Sequence, residues 1–344
     1  MPDQSLPACP VFGQCGGCQY QDIPYERELL LKSEEVKARL QAGLPMPDEI
    51  FSKIVPSPSV YHYRNRLDLK LKKTRDGRVY IGFSPVGRGP VVEIESCPIA
   101  MAAISDFIPR LKEEAVARLP QDYRIANLTV RCGDGPDVRW GGIGRGSTKL
   151  LPAEYLSTVI AGTRISYSLD TFFQANLSIL PLLREAIRAF PVFSKEAVFF
   201  DLYGGVGLFS LFVHDLVARA VNIEENVHAA WVARHNISIN RLTGLDVLVG
   251  RVEVVLVDLL KAVSSDRNVV MVDPPRAGLG EEAVGLLNRV EKVRHLIYLS
   301  CSPENLLRDL QGLTRGPWRT VSVKPMDFFP RTRHVETLVY LTRE

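Results

Sequence analysis

No stretch of the 344-residue chain is apolar for the roughly 20 residues a membrane-spanning helix needs, which excludes an integral helical membrane protein. The N-terminus, MPDQSLPACP, has no basic region followed by an apolar stretch, so no secretory signal is visible. A cytoplasmic protein without a membrane partner is the expectation. Charge of one sign is lacking too: 42 Lys and Arg face 39 Asp and Glu, and a net charge of +3 does not by itself demand a nucleic-acid partner. Internal repeats and low-complexity tracts are absent, which argues against a solenoid or a disordered scaffold. What is present is ordinary: 46% hydrophobic and 24% charged residues. The length fits about two domains and can bury a sizeable core without metal or disulfide staples.

Cysteine is scarce and unevenly placed. The six lie at positions 9, 15, 18, 97, 132 and 301, and a reducing compartment argues against disulfides. Three fall in the first 18 residues as Cys9-x5-Cys15-Gly-Gly-Cys18. Glycine lets a backbone wrap tightly around a ligand, so the spacing suggests a metal clip. A closed thiolate site needs a fourth ligand, and Cys97 in ESCPIA is the best candidate, because a Cys-Pro often closes iron–sulfur ligand sets. Four thiolates suit zinc equally well, and spacing leaves both open.

Three segments follow from texture: residues 1–60, 61–170 and 171–344. Residues 22–41 read as a helix with Leu29, Leu30, Val36 and Leu40 as its apolar stripe. Residues 42–60 are proline-rich and read as a linker. Residues 61–170 are β-rich, with short alternating runs at 80–83, 91–95 and 127–131. Residues 64–78 hold seven Lys or Arg against two Asp. Read as a strand, LDLKLKK buries Leu67, Leu69 and Leu71 and turns Asp68, Lys70 and Lys72 to solvent. Such a basic face suits phosphate contacts, or it is simply an edge strand blunted by lysine. The glycine-rich stretch 132–146 reads as turns. After about 170, a helix at 176–190 and apolar strands at 197–203, 219–224, 246–250, 268–273 and 294–300 alternate with helices. That pattern is a doubly wound α/β domain with a parallel sheet covered on both faces. Residues 334–341 add one more strand, expected to be antiparallel at the sheet edge.

Four motifs carry chemistry. In DLYGGVGLFSL a buried strand ends at Asp201, and Gly205 and Gly207 open a helix, allowing close backbone approach to a ligand. Glu224, 19 residues after Gly205, ends the next strand and can accept from ribose hydroxyls. Ser210 stands where a dinucleotide site has its third glycine, and Asp201 suits a cationic ligand, so adenosylmethionine is favoured over NAD. In VDPPRAGL, Asp273 and two rigid prolines hold a loop at the sheet's carboxyl edge. In YLSCSPENLLRDL, Cys301 lies between a strand end and a helix N-terminus, where a lowered pKa and a nucleophilic role are expected. In MDFFPRTRHVETL, His334 and Glu336 sit two apart and, within a strand, share a face; either could be a general base.

Taken in this order with the N-terminal cysteines, these motifs resemble the adenosylmethionine-dependent RNA uracil-5 methyltransferases that carry a [4Fe-4S] cluster. The resemblance spans nearly the whole chain. It implies cluster ligation by Cys9, Cys15, Cys18 and Cys97. It makes YRNRLDLKL and GFSPVGR parts of a central RNA-binding domain. FFQAN at 172–176 matches a signature in which Gln174 contacts the cofactor, alongside Tyr203, Gly205, Gly207, Glu224 and Asp273. The departures are Gly204 in place of a cysteine, Asn222 in place of a glycine, Ser302 in place of an asparagine, and Arg251 where a polar or acidic contact is common. With its cysteines at the very start and no preceding β-barrel, the chain looks like the short 23S ribosomal RNA enzymes, the tRNA T-loop being the alternative target. A monomer is expected. The implied chemistry is addition of the Cys301 thiolate to uracil C6, methylation at C5, and removal of the C5 proton by Glu336. Asp273 orients cofactor and base, and the uridine must leave its stack. A non-catalytic RNA-binding protein that keeps the cluster is the rival from another class. Radical chemistry is disfavoured because the cysteines are not spaced Cys-x3-Cys-x2-Cys.

Overall fold

A computed structural model describes residues 6–118, 124–142, 154–262 and 267–344. The described residues contain a five-stranded sheet, a seven-stranded sheet and a two-stranded hairpin. No helix among them is long and apolar enough to cross a membrane.

The five-stranded sheet comprises β1 (Arg66–Lys73), β2 (Val79–Phe83), β3 (Val92–Glu93), β4 (Ile125–Cys132) and β5 (Val138–Gly142), ordered β3-β2-β1-β4-β5 and antiparallel throughout. Its central strand β1 alternates as expected. Leu67, Leu69 and Leu71 are buried while Lys70 and Lys72 face solvent. Strand β5 lies inside the glycine-rich stretch read as turns; residues 143–146 of that stretch lie outside the described residues. The texture of this region also hid a helix, here α2 (Ala102–Arg118), whose Ile104, Ile108, Leu111 and Ala115 cover the sheet.

The seven-stranded sheet comprises β8 (Val198–Leu202), β9 (Arg219–Glu224), β10 (Leu245–Val249), β11 (Asn268–Val272), β12 (Val293–Ser300), β13 (Trp318–Met326) and β14 (Glu336–Arg343). Its order is β10-β9-β8-β11-β12-β14-β13. Strands β8 to β12 pair in parallel, and β14 runs antiparallel to both its neighbours, β12 and β13. The order reverses between β8 and β11, and ligands bind open α/β sheets beside such a switch point, outside the strands' carboxyl ends. Helices α3 (Leu180–Arg188), α4 (Leu208–Val213) and α5 (Val227–Ile239) lie in one apolar layer; α6 (Val252–Ala262), α7 (Gly280–Arg289) and α8 (Pro303–Thr314) lie in the other. The hairpin β6 (Leu156–Ile160) and β7 (Thr163–Tyr167) packs into the first layer, where Asn236 on α5 bridges Ser166 and the Val206 carbonyl.

Three expectations change. The last strand is not the edge: β14 pairs on both sides, and β13, unrecognised in the sequence, lies outside it. The proline-rich linker is not loose. Ser52 and Val55 donate to the Val323 and Pro325 carbonyls, so residues 51–55 run parallel along β13 and cover the edge. The first helix, α1 (Tyr25–Gln41), buries Glu28, Lys32, Val36 and Leu40 and leaves Leu30 exposed. Two charged side chains head the buried face because partners wait for them on another element.

Candidate active site and thiol cavity

The turn that opens the cofactor region is built at Tyr203–Gly207. Tyr203 (φ 59°), Gly205 (φ 53°) and Gly207 (φ 89°) are all left-handed, and Gly207 caps α4. Glycine supplies that conformation without steric cost; Tyr203 holds it at some strain. Gly204 is not left-handed, yet it has no room for a side chain. A Cβ there would lie 2.1 Å from Nδ2 of the buried Asn222. The two unusual residues, Gly204 and Asn222, are therefore one steric unit.

Gln174, Tyr203, Gly205 and Asp273 line one cavity together with Phe172, Phe173 and Leu208. Gln174 Nε2 donates to Asp273 Oδ2 at 2.9 Å. Two expected contacts work from behind the turn. Glu224 accepts from the Gly205 amide at 2.8 Å and the Asn226 amide at 2.6 Å, so it braces the glycine turn. Asp201 does not reach the cavity: its Oδ2 accepts from Ser210 N and Oγ, both at 2.8 Å. That ties the strand end to the start of α4, which explains a serine at position 210. Burial pushes the Asp201 carboxyl up to about 7, with the nearby Glu224 adding and the Ser210 bonds opposing.

The FFQAN loop is held from the other sheet. Arg131 on β4 is fully buried and donates to the carbonyls of Ser168 (2.8 Å), Thr171 (2.7 Å) and Phe173 (3.1 Å), with its guanidinium 4.5 Å from the Tyr167 ring centroid. Nothing in the sequence singled out this arginine. A lone basic residue in a strand reads as surface, and only the tertiary fold aims it at three carbonyls.

Cys301 follows β12, Asp273 follows β11, and Glu336 begins β14, so the three converge at one end of the sheet. The Cys301 thiol is pushed up to about 11 rather than lowered. Burial is the main cause, and the Glu336 and Asp273 carboxylates oppose a thiolate, against weaker help from Arg276. The helix end alone misled because it ignored burial first, and then two acids that come from distant sequence. Burial also drives Asp273 up to about 7 and Glu336 well above the usual carboxylate range, with like charge adding to both. His334 does not share the face of Glu336. It precedes the strand and is exposed, whereas Glu336 is buried. Arg276, in the DPPR turn, acts electrostatically on Cys301, Glu336 and His334 and went unremarked in the sequence. Arg251 pairs with Glu253 and Glu282, and Ser302 caps α8 through the Asn305 amide.

Cys9, Cys15, Cys18 and Cys97 line one cavity under the 82–88 loop, where Gly16 N donates to Ser84 O and Val86 N to Gln14 O. Burial pushes the Cys18 thiol up to about 12, and negative charge on any of the other three adds to it. Among the described residues, no group of three or more His, Cys, Asp or Glu is placed to hold a single metal ion.

Known proteins agree with this architecture. Residues 143–344, more than half of the chain, match the family model for tRNA (uracil-5-)-methyltransferases. An uncharacterised RNA methyltransferase from Thermotoga maritima is 26% identical over 99% of this chain and 85% of its own length. The tRNA (uracil(54)-C(5))-methyltransferase of Schizosaccharomyces pombe is 27% identical over 99% of this chain and 66% of its own. Among solved structures, the Pyrococcus abyssi tRNA (uracil-54, C5)-methyltransferase bound to S-adenosyl-L-homocysteine has the same fold, with a TM-score of 0.71, 24% identity, and coverage of 96% of this chain and 86% of that one. The chain belongs to the tRNA (uracil-5-)-methyltransferase family and is an adenosylmethionine-dependent RNA uracil-5 methyltransferase.

Proposed function

We propose that the reaction runs through a covalent adduct between Cys301 and uracil C6. The convergence of Cys301, Glu336 and Asp273 beside the Gln174 cavity carries this reading. Uracil C5 is a poor nucleophile, but C6 is electrophilic through conjugation with the C4 carbonyl. The Cys301 thiolate adds to C6, and the electron pair moves to C5 and the C4 oxygen. Bound adenosylmethionine supplies a sulfonium-activated methyl group, which C5 accepts. Glu336 then takes the C5 proton, the C5–C6 double bond re-forms, and the thiolate leaves. A thiol near 11 must be deprotonated only when the site is loaded. A cationic sulfonium beside Asp273 favours that, because an opposite charge stabilises the anionic forms of both acids and thiol. Gln174 fixes Asp273, Tyr203, Gly205 and Gly207 shape the cofactor turn, and Glu224 braces it.

The target RNA has two readings with equal support. The resemblance of Cys9, Cys15, Cys18 and Cys97 to a cluster-ligand set supports 23S ribosomal RNA; the Schizosaccharomyces pombe and Pyrococcus abyssi relatives act on uracil 54 of tRNA. The four thiols around one cavity fit an iron–sulfur cluster: burial raises the Cys15, Cys18 and Cys97 thiols, so these three keep their protons unless a cation displaces them. Cys9, Cys15, Cys18 and Cys97 would hold it as a structural clip between the N-terminal segment and the Cys97 turn of the central β-rich region, since methyl transfer needs no electron carrier. The test is trapping on tRNA and 23S transcripts containing 5-fluorouridine. Fluorine cannot leave as a proton does, so a denaturant-stable adduct should form with the native protein and vanish in Cys301→Ala. The transcript that traps names the target; no adduct with either removes the covalent reading.

A further inference from the structure

The loop 327–335 joins β13 to β14 and leads directly into Glu336. Three internal hydrogen bonds shape it, through Phe329, Thr332 and His334, and residues from elsewhere hold the rest. Lys32 on α1, fully buried, donates to Asp327 Oδ1 at 2.7 Å, to the Phe329 carbonyl at 3.1 Å and to Glu28 Oε1 at 2.7 Å. Tyr25 donates to Asp327 Oδ2 at 2.8 Å, and the Arg331 amide donates to Glu28 Oε1 at 2.7 Å. Arg331 adopts φ 69°, outside ordinary space for a side chain of that size, so its conformation is imposed by these contacts. The Arg331 guanidinium also pairs with Glu28 Oε2 at 3.7 Å, so two acids and two bases are neutralised inside the protein, on elements about 300 residues apart in sequence. Such networks contribute little net stability compared with apolar packing. Their use is to fix geometry, and here the fixed object is the connection into Glu336, whose Oε2 has no hydrogen-bond partner among the described residues.

We propose that Lys32 is a positioning residue for proton abstraction: from the N-terminal helix it locks loop 327–335 and so sets where the Glu336 carboxylate stands. This rests on the reading of Glu336 as the base. The thiol and the cofactor cavity are carried by β12 and by the 203–207 turn, which Lys32 does not touch. Loss of Lys32 should therefore separate the two halves of the reaction. Sulfur addition and methyl transfer should continue, while removal of the C5 proton, and with it release of the thiolate, slows. A misplacement of about 1 Å is enough to cost on the order of a hundredfold.

The experiment compares the full-length native protein with Lys32→Met, Tyr25→Phe and Glu336→Gln on the transcript that traps. Each is measured with 5-fluorouridine, and with uridine carrying hydrogen or deuterium at C5. Lys32→Met should trap 5-fluorouridine within about twofold of the native rate, turn over uridine at least tenfold more slowly, accumulate methylated adduct, and show a larger deuterium effect. Tyr25→Phe keeps the ion pairs and removes two hydrogen bonds, the one to Asp327 and the one accepted from the Ser57 amide, so it should shift the same quantities less. If trapping and turnover fall in parallel, or neither changes, the proposal is overturned. If Lys32→Met does not fold, Tyr25→Phe decides by the same criteria. Glu336→Gln separates the two readings. Adduct accumulation there without any in the other two defeats positioning alone; no accumulation there defeats the assignment of the base.

Discussion

The pairing of Gly204 with Asn222 gives a sharp prediction. An alanine Cβ at 204 would sit 2.1 Å from Asn222 Nδ2, 2.7 Å from its Cγ and 3.0 Å from the Asp201 carbonyl oxygen. Asn222 is fully buried and cannot swing away, and Gly204 has no left-handed backbone to add strain of its own. The cost of Gly204→Ala is therefore steric, about 1–3 kcal/mol by analogy with overpacked cores. Relief can come only by moving the turn that carries Gly205, so affinity for adenosylmethionine should fall about tenfold as well. Asn222→Ala alone opens a small void, costing about 1 kcal/mol. In the double variant the void receives the new methyl group, and most of both losses should be recovered. Urea unfolding and titration calorimetry with adenosylmethionine on all four proteins close the cycle. The coupling should be about 1–2 kcal/mol and favourable; strict additivity, within about 0.5 kcal/mol, would refute the reasoning.

Other predictions follow from the same geometry. Asp201 is raised to about 7 from an ordinary unfolded carboxyl near 4, so folding favours its protonated form. That contribution is complete below pH about 4 and is lost as pH rises towards 7, by up to about 1.4 kcal/mol per unit. Asp201→Asn keeps an acceptor for Ser210 and should flatten the decline in stability between pH 5 and 7; an unchanged slope would contradict it. In the free protein, Cys301 should alkylate with iodoacetamide slowly at pH 7 and faster towards pH 10, as followed by peptide mass spectrometry; fast labelling at pH 7 would mean the thiol is already ionised. Arg131→Met leaves three carbonyls without their buried donor, costing about 3 kcal/mol or more, and should raise the KM for adenosylmethionine more than it lowers kcat by loosening the loop before Gln174. Cys18→Ser should weaken folding or RNA binding before it touches methyl transfer in the fraction that remains folded. Full RNA affinity with no activity would count against a structural clip.

Much of the methyltransferase half was legible because parallel buried strands are near-continuous apolar runs, and five of them stand out as such. The chemistry-bearing positions sit at the ends of those runs, which is why Asp273 and Cys301 could be found by reading where apolar stretches stop. Strand β13 was missed because its burial pattern is irregular and it carries a proline at 325. Helix α2 was missed because its apolar spacing is interrupted by Pro109.

The sequence by itself determined which residues are chemically special, since a thiol, a buried acid and a glycine turn are properties of residue type and local spacing. What it could not contain is charge environment. Cys301 was expected to be acidified by a helix end, and it is not, because burial disfavours the thiolate and Glu336 and Asp273, arriving from other strands, oppose its ionisation further. Glu28 and Lys32 look like the polar side of an amphipathic helix and are instead its buried side. Their partners, Asp327 and Arg331, lie about 300 residues away. Periodicity reports which face of an element is apolar. Only the tertiary structure decides which polar groups are paired, because pairing depends on distances between segments that the local pattern does not encode.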